Sequence, residues 1–167
     1  ITSSSAMSSG STSLALVRAK LTPNANDCGT LSSTAAVYAY SGETKVYTTN
    51  TGSTEASWPT LTAKEGYSQT GWYSTATAGS KVLNNDGTFS GTAVSGFVSA
   101  SSWTATANKT IYAQCSPNSY TITVKAGAGI SSLALSGWTG TGTGTLTKDL
   151  EYGSTLTLST FTDRKST

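Results

Sequence analysis

The clearest alternation of apolar and polar residues occupies residues 120–125, which read Tyr-Thr-Ile-Thr-Val-Lys. Successive side chains of a strand point to opposite faces, so this alternation predicts a half-buried β-strand. Residues 104–112, continuing to Ile111-Tyr112-Ala113-Gln114-Cys115, predict another strand. This strand is expected to close a first module. Residues 116–119 are predicted to form a short linker between this module and the strand at residues 120–125.

Near the start of the chain, the apolar residues of the 14–21 run (Leu-Ala-Leu-Val-Arg-Ala-Lys-Leu) do not alternate cleanly. The length of the run fits a strand, and a short helix remains an alternative. A turn is predicted over residues 22–29, which contain proline, asparagine, aspartate and glycine. Residues 1–13 are rich in serine and threonine and hold too few apolar residues to cover a core. They are expected to form a flexible tail or an edge strand.

Residues 35–40 and 45–49 carry aromatic and β-branched side chains, and a glycine lies in the bend between them. This pattern predicts a β-hairpin. Trp58-Pro59 marks an extended segment at an edge or in a loop, because proline lacks the N–H that a central strand needs. The Asn-Asp-Gly sequence of residues 85–87 predicts a tight turn. Residues 70–73 are compatible with one helical turn or a bend.

Serine and threonine make up more than a third of the chain, and only 11% of residues are charged. Threonine suits a pleated surface and serine competes with helix hydrogen bonds, so the composition predicts an all-β or mainly β protein. The net charge of +2 comes without a basic cluster, which argues against a nucleic-acid partner. The sequence also contains no apolar stretch long enough to span a membrane. A chain that begins at Ile1 is expected to be a processed or excised piece of a longer precursor.

Histidine is absent, and Cys28 and Cys115 are the only cysteines. The sequence therefore lacks the ligands of most transition-metal sites and the usual base for a nucleophilic serine or cysteine. The wide spacing of Cys28 and Cys115 also excludes a CxxC motif. We predict no catalytic, metal or cofactor site. The two cysteines fit one structural disulfide in an oxidising compartment, or alternatively two buried free thiols.

The carboxylates are few and scattered, and only Asp149 and Glu151 stand two positions apart. A glycosidase pair would need a cleft between its carboxylates, which nothing in the pattern indicates. Calcium at residues 84–87 is an alternative to a plain turn, but the later bidentate glutamate of a calcium loop is missing. The sequence therefore predicts a protein that is not an enzyme.

The most distinctive motif combines a Gly-Tyr pair, a Gly-Trp-Tyr triplet, a Gly-Ser-Lys-Val segment at 79–82 and a Tyr-Ala-Gln strand at 112–114. This pattern resembles the internalin-type B-repeat, or Listeria-Bacteroides repeat, of bacterial surface proteins. The alternative is the aromatic core of an unrelated β-domain. Glycine permits a tight backbone turn beside a large aromatic side chain. The motif positions expected to build the core are Gly66, Tyr67, Gly71, Trp72, Tyr73 and Tyr112.

The resemblance implies a β-grasp-like module over residues 14–116 and a second, incomplete β module over residues 117–167. In such a sheet the first and last strands are parallel neighbours. Their C-terminal ends would then bring Cys28 and Cys115 together. Cys115 stands where the family has tryptophan, so a disulfide would replace its packing. The same resemblance favours a strand over a helix for residues 14–21.

The function implied is that of a non-catalytic extracellular or cell-surface module, secreted by bacteria, with a structural or adhesive role. Its expected partners are neighbouring repeats or identical subunits, and also host or cell-wall glycans or proteins. One alternative is a filament or pilus subunit that assembles by strand pairing. Another is a carbohydrate-binding module, in which Trp58 and Trp138 would stack on sugars. Core packing is the competing role for these two tryptophans.

Overall fold

The computed structural model describes residues 18–127, 134–140 and 144–157, and these residues form β-strands and no helix. The prediction of an all-β or mainly β protein is confirmed. The predicted tail at 1–13 lies outside the described residues. The strands are β1 (Ala19–Asn24), β2 (Gly29–Leu31), β3 (Val37–Ala39), β4 (Val46–Tyr47), β5 (Glu55–Ala56), β6 (Leu61–Ala63), β7 (Tyr67–Tyr73), β8 (Lys81–Leu83), β9 (Lys109–Pro117), β10 (Ser119–Lys125) and β11 (Thr145–Glu151).

Seven strands form one mixed sheet in the order β5-β4-β3-β1-β9-β7-β8. At its centre, β1 runs parallel to β9, with partners from Leu21 opposite Lys109 to Asn24 opposite Tyr112. The other pairs in this sheet are antiparallel. Strands β2 and β6 form a separate antiparallel pair. The first and last strands of the module are therefore neighbours, although nearly the whole module separates them in sequence.

Strand β1 begins later and ends later than the pattern predicts. The described part of the 14–21 run is a strand from Ala19, and it continues through Pro23 to Asn24, where a turn is predicted. Pro23 is tolerated because β3 pairs only with Ala19–Leu21, so no neighbour on that side requires the missing N–H. Residues 14–17 lie outside the described residues.

The predicted hairpin is present as β3 and β4, in which Tyr38 lies opposite Tyr47. Trp58 and Pro59 follow β5 outside any strand, as predicted, and both are buried. The predicted turn after Asn84 is also present. The N–H of Asn84 donates to Thr88 O at 2.8 Å, and Gly87 has a φ of 83°. Local turn chemistry thus places these segments correctly.

Residues 70–73 form neither a helical turn nor a simple bend, because they lie inside the seven-residue strand β7. A bulge interrupts the β7–β9 register between Gln69 and Gly71. Gly71 has a φ of 147°, and a Cβ there would lie 2.4 Å from Cε of Lys81. The glycine therefore allows a strand to bend while a neighbouring side chain covers it.

One continuous hydrophobic core lies against the seven-stranded sheet. The fully buried side chains with the largest volumes are Trp72, Leu21, Leu83, Ile111, Val82 and Val98. Each comes from a central strand, from the hairpin β7–β8 or from the long segment before β9. The core therefore depends on contacts that close only when both ends of the module are in place.

Strand β9 continues through Ser116 and Pro117, which pair with Ser68 and Tyr67, so these residues are not part of a linker. Only Asn118 separates β9 from β10. Strand β10 then pairs antiparallel with β11 from Ser119 to Lys125, as the alternating pattern predicts. In the described part of the chain, the second module consists mainly of this hairpin.

Candidate functional site

The joint between the sheet and the second hairpin is built on the backbone of Asn118. The N–H of Asn118 donates to Gly66 O at 2.7 Å, and its carbonyl accepts the N–H of Tyr152 at 2.8 Å. The Ser68 hydroxyl donates to Asn118 Oδ1 at 2.5 Å. The one-residue connection is thus hydrogen-bonded to the β6–β7 turn, to β7 and to the end of the hairpin.

Two aromatic rings pack across the same joint. The rings of Tyr152 and Tyr67 meet edge to face, with centroids 5.8 Å apart, and Lys64 Nζ lies 4.3 Å from the Tyr67 centroid. The ring of Tyr152 also lies against Gly66, whose φ is 75°. Only glycine fits this position without strain, because a side chain would meet both an unfavourable φ and the ring.

Cys28 and Cys115 form a disulfide beside this joint, with their Cα atoms 5.7 Å apart. This agrees with the expected pairing. Cys28 lies in the turn after β1, where Asn26 and Asp27 have left-handed φ values, and Cys115 lies within β9. The side-chain amide of Asn26 donates to Ala113 O at 3.0 Å, which fastens this turn to β9.

An open cavity of about 320 Å³ lies next to the disulfide. Its lining includes both cysteines, Asp27, Lys64 and Gln114. The amide of Gln114 donates to Thr75 O at 3.0 Å. The cavity contains one carboxylate and one ammonium group, and it shows no arrangement of a nucleophile with a base.

Trp72 is fully buried and packs edge to face with Trp58, with ring centroids 5.3 Å apart. The ring centroids of Trp58 and Trp103 are 6.2 Å apart. Trp58 is only 8% exposed, which contradicts the alternative in which it stacks on sugars and agrees with its role in the core. Trp138 is half-buried. In the described part of the chain, the indole N–H groups of the three clustered tryptophans have no hydrogen-bond partner.

The other aromatic motif residues lie at intermediate depth. Tyr73 and Tyr112 are cross-strand partners on β7 and β9, and both are half-buried. The expectation of a buried core position holds for Trp72 and is too strong for these two tyrosines.

Arg18 is a buried cation that the sequence pattern did not single out. Its guanidinium lies between the rings of Tyr40 and Tyr47, at 4.4 and 3.8 Å from their centroids. Its Nη1 donates to the carbonyls of Thr49 and Gly52. The hydroxyl of Tyr47 donates to Glu43 at 2.9 Å, and this bond raises the pKa of Tyr47. No local sequence signal links Arg18 to tyrosines more than 20 residues away.

Three other carboxylates accept hydrogen bonds from nearby side chains or from the backbone of a turn. Thr121 donates to Asp149 at 2.5 Å across the second hairpin, and Lys45 forms an exposed ion pair with Glu55. Asp86 accepts from the hydroxyl and the N–H of Thr88, which lowers the pKa of Asp86. Among the residues that the structure describes, no three His, Cys, Asp or Glu side chains cluster as a metal site.

Comparisons with protein-family models, with curated proteins and with solved structures find no match to this chain. Within the described ranges, no helix is long and apolar enough to cross a membrane.

Proposed function

We propose that the chain is a non-catalytic structural module of an extracellular cell-surface protein, similar to an internalin-type B-repeat, that holds neighbouring modules in a fixed orientation. The observation that carries this proposal is the joint at Asn118. A flexible linker would leave two modules free to rotate, whereas this connection is one residue long and hydrogen-bonded on both sides.

Aromatic packing supports the same role. Tyr152 is 41% exposed, yet its ring contacts both Gly66 and Tyr67 across the joint. Edge-to-face aromatic pairs contribute about 0.5–1.5 kcal/mol beyond the area that they bury. This energy, with the three hydrogen bonds, favours one orientation of the hairpin over free motion.

The disulfide supports an extracellular location, because disulfides persist in oxidising compartments and are rare in reducing ones. Cys28 and Cys115 are the only cysteines, and they pair with each other. The low charge and the abundance of threonine on strands fit a stable, inert surface module better than a catalytic domain.

Antibodies raised against the purified chain provide the test of location. They should label intact cells of the organism that makes the protein, and protease added outside those cells should remove the label. A signal that appears only after the cells are lysed would contradict the proposal. An intracellular protein released by lysis is the matched control for cell integrity.

The second candidate function is a filament subunit, and it is favoured by the edge of β10 that is unpaired among the described strands. This seven-residue strand pairs with β11 and with no other described strand. Two-stranded hairpins are marginally stable alone, and a long free edge accepts further strands. Light scattering and electron microscopy of the chain, with and without residues 1–13, separate the two candidates. Ordered polymers that disappear on deletion would favour the filament, and an unchanged monomer would favour the module.

The carbohydrate-binding alternative loses its first candidate, because Trp58 is buried against Trp72 and Trp103. Trp138 remains as the stacking candidate. Tight binding to an immobilised glycan that is lost in Trp138→Ala would replace the structural proposal with a lectin-like function.

A further inference from the structure

We propose that the Cys28–Cys115 disulfide makes this module a limited-extension element under mechanical tension: β1 can slide from β9, but residues 29–114 stay folded outside the path of the load. The proposal rests on the proposed function, in which the module lies in line within a surface protein. It concerns how the fold responds to pulling at its two ends.

The strand order sets the direction of the load. Among the described residues, tension from the N-terminal side first meets the buried Arg18 and then β1, which starts at Ala19. It leaves at Pro117, the end of β9. Because β1 and β9 are parallel, these two points lie at opposite ends of the pair. Pulling therefore slides the strands along each other and loads their hydrogen bonds together, not one after another.

Strand β1 is held on both sides against this sliding. It pairs with β9 from Leu21 to Asn24 and with β3 from Ala19 to Leu21. Leu21 and Ala19 are also buried in the core. The first event under load must therefore break two ladders and expose apolar side chains.

The disulfide then carries the load directly. Tension that travels along β1 reaches Cys28 four residues after the strand ends, and crosses to Cys115, two residues before the end of β9. Residues 29–114 lie between the two cysteines and form a covalently closed loop. They include the Trp58, Trp72 and Trp103 cluster, so most of the core cannot be stretched while the bond is intact.

The consequence is a short, recoverable extension. In the oxidised protein, the sliding step frees residues 19–28, but β1 is already extended and Cys28 stays bonded to Cys115, so the extension gained comes mainly from the turn after Asn24. In the reduced protein, residues 29–114 are released as well, which adds about 300 Å. Strand β1 remains tethered beside its partners after the short step, so its return costs little loop-closure entropy.

Single-molecule pulling on the full chain, attached at its two ends, tests the inference. The oxidised chain should lack the release of about 300 Å, and adding dithiothreitol during the pull should produce it. Equal extension with and without dithiothreitol would overturn the proposal. Reduction takes place on the already folded chain, so this comparison does not depend on a variant that folds.

A second geometry tests the sliding step in the Cys28→Ser/Cys115→Ser double variant. Ser41 is exposed in the turn after β3, at the same end of the sheet as the start of β1. In the double variant carrying Ser41→Cys, pulling between residue 41 and the N-terminal end should peel β1 away at a lower force than end-to-end pulling. Equal forces in the two geometries would contradict the sliding mechanism.

The pulling result and the surface-labelling result can fail separately. A labelled surface protein without the difference of about 300 Å would contradict the limited extension alone. A clear difference in a protein that is found only inside cells would contradict the proposed location alone.

Discussion

The ring of Tyr152 lies so close to the backbone of Gly66 that a Cβ added at Gly66 would stand 2.1 Å from Tyr152 Cγ. No side chain fits in that space unless Tyr152 moves. The contact makes Gly66 a packing position for the second hairpin as well as a turn residue.

Gly66→Ala should therefore release the hairpin from the sheet. Its matched control is Gly91→Ala, because Gly91 has a similar φ of 80° and a Cβ added there would meet no atom within 4 Å, so both variants carry the same backbone strain. Hydrogen exchange of β10 and β11 should accelerate about tenfold more in Gly66→Ala than in the control, equal to about 1.4 kcal/mol. Equal exchange in the two variants would show that the joint does not hold the hairpin.

Trp72→Ala should destabilise the module by about 3–5 kcal/mol, because it removes a fully buried aromatic side chain and leaves a cavity. Urea unfolding measures this loss, and Trp138→Ala, at a half-buried position, is the control. Trp72→Phe should cost less than Trp72→Ala, since it keeps a ring and removes an unpaired N–H. A Trp72→Ala protein with an unchanged melting temperature would contradict the assignment to the core.

Loss of the Cys28–Cys115 bond should lower the free energy of unfolding by on the order of 4 kcal/mol, since the bond closes a long loop in the unfolded chain. Peptide mapping without reductant should recover the two cysteines in one linked species. Recovery of both as free thiols would disprove the pairing.

Arg18→Lys should destabilise the module by about 1–3 kcal/mol. Lysine keeps the charge but loses the flat guanidinium that lies between Tyr40 and Tyr47. Lys20→Met is the control, because Lys20 is an exposed cation only two residues after Arg18. Chemical unfolding of the two variants distinguishes a specific role for Arg18 from a general effect of charge.

Asp86 should titrate below its ordinary pKa of 3.8 because Thr88 donates two hydrogen bonds to its ionised form. A lowered folded pKa stabilises the protein above the unfolded pKa, and this contribution is lost as the pH falls through the folded value. Thr88→Val removes the hydroxyl donor, so the pKa of Asp86 should rise toward 3.8. NMR titration of the carboxyl group measures the change, and no shift in the variant would contradict the role of the hydroxyl.

Local chemistry predicted much of the chain. The hairpin β3–β4, the turn at Gly87 and the strand β10 follow from alternation and turn residues. The bulge in β7 could not be predicted from the sequence, because the need for glycine at position 71 comes from its contact with Lys81 in the folded sheet. The same limit applies to Pro23, whose place in β1 depends on where β3 stops pairing.

The candidate site was predictable in its covalent part and not in its packing. The cysteine count and the family resemblance together indicated the disulfide. The Gly66–Tyr152 contact and the position of Arg18 join residues that are far apart in sequence, and no periodic pattern records such pairs. The burial of Trp58 likewise depends on Trp72 and Trp103, which approach it only in the folded sheet.

The parallel pairing of β1 with β9 also limits the order in which the strands can pair during synthesis. The central ladder of the sheet cannot form until Tyr112 has been synthesised, because β1 must wait for the last strand of its own module. Contacts of such long sequence separation slow folding and leave apolar strands exposed in the meantime. The central ladder of the sheet is therefore among the last parts of the module to form during synthesis.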